Sequence, residues 1–260
     1  MKHIFEQLCL STCDIARKTG KYILRERLIF DDKAIESKGL HDLVSYVDKN
    51  AEKMIIEELQ KLIPECGFIA EEGTNSQKSS EYNWIIDPLD GTTNFIHGIP
   101  FFAISIALMR FDELVLGVVL ELGRDECFYA WKNGGSFLNG NKISVSNRNN
   151  IHEALLATGF PYADFSRIDH YMKILKWGME NSRGIRRLGS AATDLAYVAC
   201  GRFDAFWEYN LKPWDVAAGA LIVKEAGGIV TDFKGGNNYL FGGEILASNG
   251  LINIPLSDFY

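Results

Sequence analysis

Two carboxylates stand three residues apart in the stretch W-I-I-D-P-L-D-G-T-T-N-F, where Asp87 and Asp90 follow an apolar run. The apolar run predicts a buried strand, and the proline and glycine beside the acids predict a tight turn at its end. Two carboxylates at one strand end repel each other, so the arrangement is stable only when a cation or a proton offsets the charge. A plain turn in which Asp90 caps a following helix is the structural alternative.

Two other acidic positions also lie where a buried element ends or begins. Glu71 and Glu72 follow the apolar run F-I-A, and Asp215 opens an apolar helix that starts near Trp214. Taken singly, the glutamates fit a solvated turn and Asp215 fits a helix N-cap. Taken with the D-P-L-D turn, they form an acidic cluster without accompanying His or Cys. Hard divalent cations prefer such oxygen ligands, so the cluster predicts a Mg²⁺ site rather than a Zn²⁺ site.

A candidate phosphate-binding segment follows the two aspartates directly. Gly91, Thr92 and Thr93 lie at a predicted helix start, where backbone N–H groups point outward and bind anions. Metal-assisted oxyanion sites of this kind hydrolyse phosphate esters, with two ions about 3.5–4 Å apart on the attacking and leaving oxygens. The residue types alone therefore indicate metal-dependent phosphate ester hydrolysis.

The elements that must position these residues follow from the spacing of apolar positions. Residues 3 to about 30 predict a helix, residues 31–41 an exposed loop or ribbon, and a second helix starts near Asp48 and ends before Pro64. Short strand-like runs separated by turns predict a mostly antiparallel sheet up to about residue 150, and strands alternating with helices follow from there. The predicted strands are 67–70, 84–86, 101–109, 114–120, 126–131, 143–145, 154–158, 203–207, 229–232 and 244–248, and the later helices are 169–181, from Ser190 and from Trp214.

This pattern predicts an α/β protein with two packed halves, 1–150 and 151–260, that form one compact unit around a shared cleft. In this division the first half carries most of the metal ligands and the second half completes the site. A chain of 260 residues is long enough to bury about 70–75% of its unfolded surface.

Composition excludes several classes of function. The net charge of −7 argues against nucleic-acid binding through bulk electrostatics. The longest apolar stretch, F-F-A-I-S-I-A-L-M, is too short for a membrane span of about 20 residues. Five cysteines without a C-x-x-C pair and an N-terminus without an unbroken apolar core predict a cytoplasmic protein with free thiols.

Long motifs in this sequence resemble those of the inositol monophosphatase family, which belongs to the lithium-sensitive, Mg²⁺-dependent phosphatase superfamily that also contains fructose-1,6-bisphosphatase. The two longest matches are D-P-L-D-G-T-T-N-F and W-D-V-A-A-G-A-L-I-V-K-E-A-G-G, and the order of all matches along the chain also agrees. The shorter matches are A-E-E, K-G-L-H-D-L-V-S-Y-V-D, R-R-L-G-S-A-A-T-D-L and F-W-E.

The resemblance implies a layered αβαβα sandwich, a homodimer, inhibition by lithium and a small-molecule phosphate ester as substrate. It assigns a first Mg²⁺ to Glu71, Asp87 and the Leu89 carbonyl, a second to Asp87, Asp90 and Asp215, and a weaker third, bound mostly through water, to the neighbourhood of Glu71. In the family pattern, Thr92, hydrogen-bonded towards Asp48, positions the nucleophilic water together with Glu71. The backbone amides of Gly91 and Thr92 bind the phosphate. The residues that line the polyol pocket are Asp90, Gly189, Ala191 and Glu208. Asp194 is outside these assignments, and we expect a helix-surface or ion-pair role for it. Arg183, Arg186 and Arg187 form a small basic cluster, for which we expect a solvated or interface role rather than phosphate binding.

The implied activity is hydrolysis of inositol 1-phosphate to inositol and phosphate. Fructose-1,6-bisphosphatase activity, alone or as a second activity, is the nearest alternative, because the motifs separate the two poorly. A nucleotide phosphatase acting on 3′-phosphoadenosine 5′-phosphate is another alternative within the superfamily, and the run G-T-T-N-F favours the inositol branch over it. A non-catalytic protein-binding role is an alternative of another class. An aspartyl-phosphate mechanism is disfavoured because the spacing here is D-x-x-D-G-T rather than D-x-D-G-T.

Overall fold

The computed structural model describes residues 2–30, 35–39, 42–73, 78–162 and 164–256. Six helices and fourteen strands lie within these ranges. The predicted loop or ribbon at 31–41 is in part a two-stranded antiparallel ribbon, Ile35–Gly39 (β1) with Asp42–Ser45 (β2). Residues 31–34, 40 and 41 of that prediction lie outside the described residues.

The first half of the chain forms a seven-stranded sheet in the order β3-β4-β5-β6-β7-β8-β9. Only the β3–β4 pair is parallel, and each later strand pairs antiparallel with its neighbour. Strands β4 and β6 are longer than predicted, β9 lies two residues earlier than predicted, and β8, within the run G-G-S-F-L-N-G, was not among the predicted strands. The strands are Gly67–Ala70 (β3), Tyr82–Asp90 (β4), Ala103–Arg110 (β5), Glu113–Glu121 (β6), Glu126–Trp131 (β7), Gly135–Leu138 (β8) and Asn141–Ile143 (β9).

Both faces of this sheet are covered, and the alternation of side chains along β5 shows how. Ile104, Ile106 and Leu108 face one core with the long helices Lys2–Ile29 (α1) and Tyr46–Leu62 (α2). Ala103 and Ala107 face the opposite side, where Pro213–Glu225 (α6) packs. Because side chains alternate across a strand, a strand buried on both faces reads as the continuous apolar run seen in the sequence.

Small residues let the central helices approach closely. A Cβ at Gly117 of β6 would stand 2.7 Å from the Ala218 oxygen of α6, and a Cβ at Gly219 would stand 2.5 Å from the Leu195 Cβ atom. Leu195 belongs to the neighbouring helix Ala191–Ala199 (α5), which packs along α6. Together α5 and α6 form a layer between the two sheets.

The second sheet has the order β11-β10-β12-β14-β13 and mixes parallel and antiparallel pairs. Helix Ile168–Asn181 (α4) packs on its far side, where Tyr171 and Ile174 join a third apolar core. Strand β11 was not among the predicted elements because G-I-R is too short to show a period. The strands are Leu155–Thr158 (β10), Gly184–Arg186 (β11), Ala205–Tyr209 (β12), Ile229–Thr231 (β13) and Glu244–Ser248 (β14).

The layers therefore run α1 and α2, seven-stranded sheet, α5 and α6, five-stranded sheet, α4. This αβαβα sandwich confirms the predicted fold class. The five cysteines, all within the described residues, form no disulfide bond. In the described part of the chain, no helix combines the length and apolarity that a membrane crossing needs.

Candidate active site

A pocket of about 470 Å³ opens where the ends of several elements meet. It lies at the end of β4, beside the short helix Thr92–Ile96 (α3), at the starts of α5 and α6 and at the end of β12. Its polar lining comes from both halves of the chain, including Glu71, Asp90, Thr92, Arg187, Ser190, Asp194, Glu208 and Asp215.

The chain brings four acidic side chains to this place. Strands β3 and β4 run parallel, so Glu71, which follows β3, lies next to Asp87 near the end of β4. A register irregularity between Asp87 and Asp90 lets both aspartates belong to one strand end. Asp215 arrives from the first turn of α6, where its Oδ2 accepts the Lys212 N–H at 2.6 Å.

The four carboxyl groups repel each other strongly. The pKa of Asp87, a residue only 2% exposed, is raised well above its ordinary value by burial and then by the charges of Glu71, Asp90 and Asp215. Burial also raises the pKa of Asp215, with the Asp90 charge as the next cause. Burial raises the pKa of Asp90 to about 6, although hydrogen bonds from protein donors oppose the rise. These carboxyls need protons or a cation to offset their charge.

The donor set fits a hard divalent cation. Among the described residues, Asp87, Asp90 and Asp215 form no salt bridge with a lysine, arginine or histidine. Within the same residues no three acidic, His or Cys side chains already close around one point. The Asp90 and Asp215 carboxylates instead accept hydrogen bonds from protein N–H and O–H groups. Carboxylate oxygens, the ligands that Mg²⁺ prefers, therefore lie beside one pocket without a protein cation between them.

A hydrogen-bonded pair, buried Asp48 and half-buried Thr92, lies beside the acidic cluster. The Thr92 Oγ1 atom lies 3.1 Å from Asp48 Oδ1 and 3.0 Å from the Leu89 carbonyl oxygen, and a hydroxyl has one proton to donate to them. Ser45, the N-cap of α2, donates its N–H and its hydroxyl to Asp48 Oδ2 at 2.9 and 2.6 Å. Asp48 is therefore fixed by a helix cap and presents its other oxygen to Thr92.

Two glycines shape the floor of the pocket. Gly91 has φ +95°, and a Cβ there would stand 3.1 Å from the Gly189 carbonyl oxygen and 3.2 Å from that of Phe101. Such a conformation strongly favours glycine. Gly91 is also the N-cap of α3, so the N–H groups of the first turn of α3 are next to the acidic cluster.

A pocket wall formed by residues 187–194 and the end of β12 adjoins the acidic cluster. Asp90 Oδ2 accepts the Ser190 hydroxyl and the Ala192 N–H, both at 2.7 Å, which joins the first sheet to the start of α5. Glu208, 6% exposed, packs against Gly159 so tightly that a Cβ on Gly159 would stand 2.0 Å from the carboxyl carbon. Burial raises the pKa of Glu208 to about 8, with the Asp90 charge adding to the rise and Arg187 opposing it.

Sequence reasoning misplaced one residue of this wall. Asp194 is 1% exposed and lines the pocket, so the expected helix-surface or ion-pair role is wrong. Arg187, from the basic cluster expected to be solvated or at an interface, is half-buried and also lines the pocket, with its guanidinium over the rings of Phe160 and Tyr162. The signal for Asp194 was available, because it stands in the first turns of a helix that is otherwise apolar on every side.

The predicted site residues therefore come together from distant parts of the chain. Glu71, Asp90, Gly91, Thr92, Gly189, Ala191, Glu208 and Asp215 line the pocket, and Asp48, Asp87 and Leu89 lie directly behind it. The roles of these residues remain predictions, since the structure shows where they lie rather than what they bind.

Comparison with known proteins places this chain among related sequences over nearly its whole length. The model of the inositol monophosphatase family matches residues 6–256. A protein named putative Nus factor SuhB from Neisseria meningitidis serogroup B is 46% identical, over 90% of this chain and 90% of that protein. An inositol-1-monophosphatase from Rhizobium meliloti is 45% identical, over 89% and 88% respectively.

Solved structures agree with the sequence relatives. The extragenic suppressor protein suhB from Bartonella henselae superimposes with a TM-score of 0.91 at 43% identity, over 96% of each chain. An IMPase from Thermotoga maritima gives a TM-score of 0.83 at 41% identity, over 92% of this chain and 91% of that one. With the family model spanning the acidic cluster, the Asp48–Thr92 pair and the pocket, the chain belongs to the inositol monophosphatase family.

Proposed function

We propose that this protein is a Mg²⁺-dependent phosphomonoesterase that hydrolyses inositol 1-phosphate to inositol and phosphate. The observation that carries the proposal is the convergence of four carboxyl groups from β3, β4 and α6 beside the Asp48–Thr92 pair. The family membership and the inositol-1-monophosphatase among its relatives support the same activity.

The carboxylates of Glu71, Asp87, Asp90 and Asp215, with the Leu89 carbonyl, would hold two Mg²⁺ ions, and a weaker third would lie beside Glu71. When bound, the ions would offset the charge of the phosphoryl group and lower the pKa of a water molecule. Asp87 would be a ligand in both of the tighter sites, and its position among three other acids supports this role. The proline between the two aspartates restricts φ and stiffens the turn that presents them.

The remaining residues orient the reactants. The Thr92 hydroxyl donates to Asp48, which leaves its oxygen lone pairs for a proton of the attacking water, and Glu71 completes the position of that water. The N–H groups of Gly91 and Thr92 bind the phosphate oxygens. Asp90, Gly189, Ala191 and Glu208 contact the polyol that leaves as the alcohol.

Phosphate release with Mg²⁺ tests the proposal on inositol 1-phosphate, fructose 1,6-bisphosphate and 3′-phosphoadenosine 5′-phosphate. We expect preference for the inositol ester, inhibition by lithium, and loss of turnover in Asp90→Asn and Asp215→Asn with the fold intact. Comparable turnover of the sugar bisphosphate would make the enzyme dual-function. Full activity in both variants would refute the metal-assisted mechanism.

The same proposal describes the enzyme as a cytoplasmic homodimer, as the family resemblance and the composition imply. Sedimentation equilibrium measures the mass directly. A species of twice the chain mass supports the dimer, and a species of 29.2 kDa at micromolar concentration rejects it.

A second candidate function is protein binding, which the names of the Nus factor relatives favour. It is compatible with catalysis if the partner binds outside the pocket. Recovery of a stoichiometric partner with the tagged chain, unaffected by Asp215→Asn, would support an independent binding role. Recovery of the chain alone would leave catalysis as the sole function proposed.

A further inference from the structure

Asp194 carries a buried carboxyl group that none of the roles above uses. It lies in the first turns of α5, is 1% exposed and lines the pocket. Within the described residues, its Oδ1 atom has no hydrogen-bond partner. A buried acceptor without a partner is costly, so a native structure keeps one where a ligand or water supplies the missing bond.

A donor without an acceptor stands in the same wall. The Nε atom of Arg187 is buried and, among the described residues, has no hydrogen-bond partner. The guanidinium is held between two rings, 5.6 Å from the Phe160 centroid and 5.4 Å from that of Tyr162, and also donates to the Tyr162 hydroxyl. Its charge acts on Asp194 and lowers that carboxyl's pKa against the larger effect of burial. Nevertheless the described residues contain no ion pair between the two.

The unmatched atoms of Asp194 and Arg187 have complementary polarity and share one pocket. A group that satisfies both must accept a hydrogen bond and donate one, which a hydroxyl does and a phosphate dianion or an ammonium group does not. An anion is further disfavoured here, because the neighbouring carboxylates of Glu208 and Asp90 already act on Asp194, and both charges raise its pKa. The wall is therefore suited to a neutral, hydroxyl-bearing group.

We propose that Asp194 determines specificity by binding, together with Arg187, a hydroxyl group of the substrate's alcohol portion. This inference rests on the phosphatase function proposed above, and it adds to that function the selection of polyol esters over esters without hydroxyls. The ester reaches this wall because Asp90 lies between the phosphate-binding segment and the wall. Asp90 precedes Gly91 in the chain, and its carboxylate accepts hydrogen bonds from the start of α5.

The test compares two phosphate esters in wild type, Asp194→Ala and Asp194→Asn. Inositol 1-phosphate carries hydroxyls around its ring, whereas 4-nitrophenyl phosphate carries none. For Asp194→Ala we expect kcat/KM to fall by about 10- to 100-fold with the inositol ester and by less than about threefold with the nitrophenyl ester. Asp194→Asn keeps the size and one acceptor oxygen, so its loss with the inositol ester is smaller and its selectivity is intermediate.

A matched control and a folding measurement accompany the kinetics. Asp169→Asn makes the same chemical change at an exposed position in the first turn of α4 and should leave both esters unaffected. Circular dichroism and Tm show whether each variant folds, and Asp194→Asn carries the test if Asp194→Ala does not.

Three results would overturn the inference. Equal losses with both esters in a folded variant would show that Asp194 only supports the structure. Unchanged kcat/KM with the inositol ester would show that no substrate hydroxyl reaches Asp194, and that a water molecule alone bonds its Oδ1 atom. Turnover of neither ester by the wild type would instead refute the phosphatase function and the inference with it.

Discussion

Ser190 donates its hydroxyl to Asp90 at 2.7 Å and accepts the Thr193 N–H at 3.3 Å, so one side chain both caps α5 and holds an acid of the metal cluster. The two residues are a hundred positions apart in the chain, and this bond connects the end of β4 with the central helical layer. The position of Asp90 therefore depends on the correct packing of α5 against the first sheet.

The Ser190 link predicts a combined effect on stability and catalysis. Ser190→Ala removes an N-cap and a hydrogen bond to a carboxylate, so we expect a loss of about 1–3 kcal/mol in the free energy of unfolding. Because Asp90 then keeps only backbone donors in α5, we also expect kcat to fall about tenfold or more. Ser136→Ala is the matched control: Ser136 is equally buried and bonds the Ile222 carbonyl of α6 at 2.6 Å, outside the pocket lining. It should lose stability but keep kcat, and a similar fall in kcat for both variants would contradict the proposed link.

The Thr92 hydroxyl should be required for turnover rather than for folding. Thr92→Val keeps the shape but removes the group that bonds Asp48, so we expect kcat to fall about 100-fold or more, in the range typical of general acid–base groups. Thr92→Ser retains the hydroxyl and should keep most of the activity. Phosphate release at saturating inositol 1-phosphate measures both variants, and Thr231→Val on β13 is the control for a Thr-to-Val change outside the pocket. Equal activity of the Val and Ser variants would rule out the proposed role.

Glu208 should make the metal-free protein less stable as pH rises. Its pKa is about 8 in the folded state against an ordinary value of 4.5. Between these pH values the native state holds a proton that the unfolded state has lost. The contribution of Glu208 to the free energy of unfolding is therefore fully present below a pH of about 4.5 and is lost as the pH rises towards 8. One titrating group can change the free energy of unfolding by at most about 1.4 kcal/mol per pH unit. Urea unfolding in EDTA from pH 5 to pH 8.5 measures the slope. Glu208→Gln should flatten it, and an unchanged slope would show that Glu208 is not responsible.

Asp87 should destabilise the metal-free protein while being needed for Mg²⁺ binding. Asp87→Asn removes one of four mutually repelling charges, and the amide oxygen still accepts the Leu89 N–H that Asp87 Oδ1 accepts at 2.9 Å. We therefore expect an equal or higher Tm in EDTA. In wild type, added Mg²⁺ should raise Tm, since an ion that binds only the folded state stabilises it, by about 2.7 kcal/mol at 100 times Kd. Asp87→Asn should show little of this rise, and a wild-type-sized rise in the variant would exclude Asp87 as a ligand. Calorimetric scans without substrate make the measurement independent of activity.

Much of the fold followed from local patterns. The apolar periodicity predicted α1 and α2, and the alternation of apolar runs with turns predicted most strands of the first sheet. Helix α4 and the start of α6 were also predicted within one or two residues. The elements that escaped prediction, β8 and β11, are three or four residues long, so tertiary pairing rather than local preference decides that they are strands.

The family, the fold class and the acids of the candidate metal cluster could be predicted from the chain alone, because those acids stand in fixed motifs at the ends of apolar runs. That Asp194 and Arg187 line one pocket depends on the folded arrangement. The apolar surroundings of Asp194 along α5 indicate burial, but the packing of α5 between two sheets decides which cavity its carboxylate lines. Likewise, Asp90 and Ser190 are separated by a hundred residues of chain, and the contact between them exists only because two sheets enclose the same helical layer.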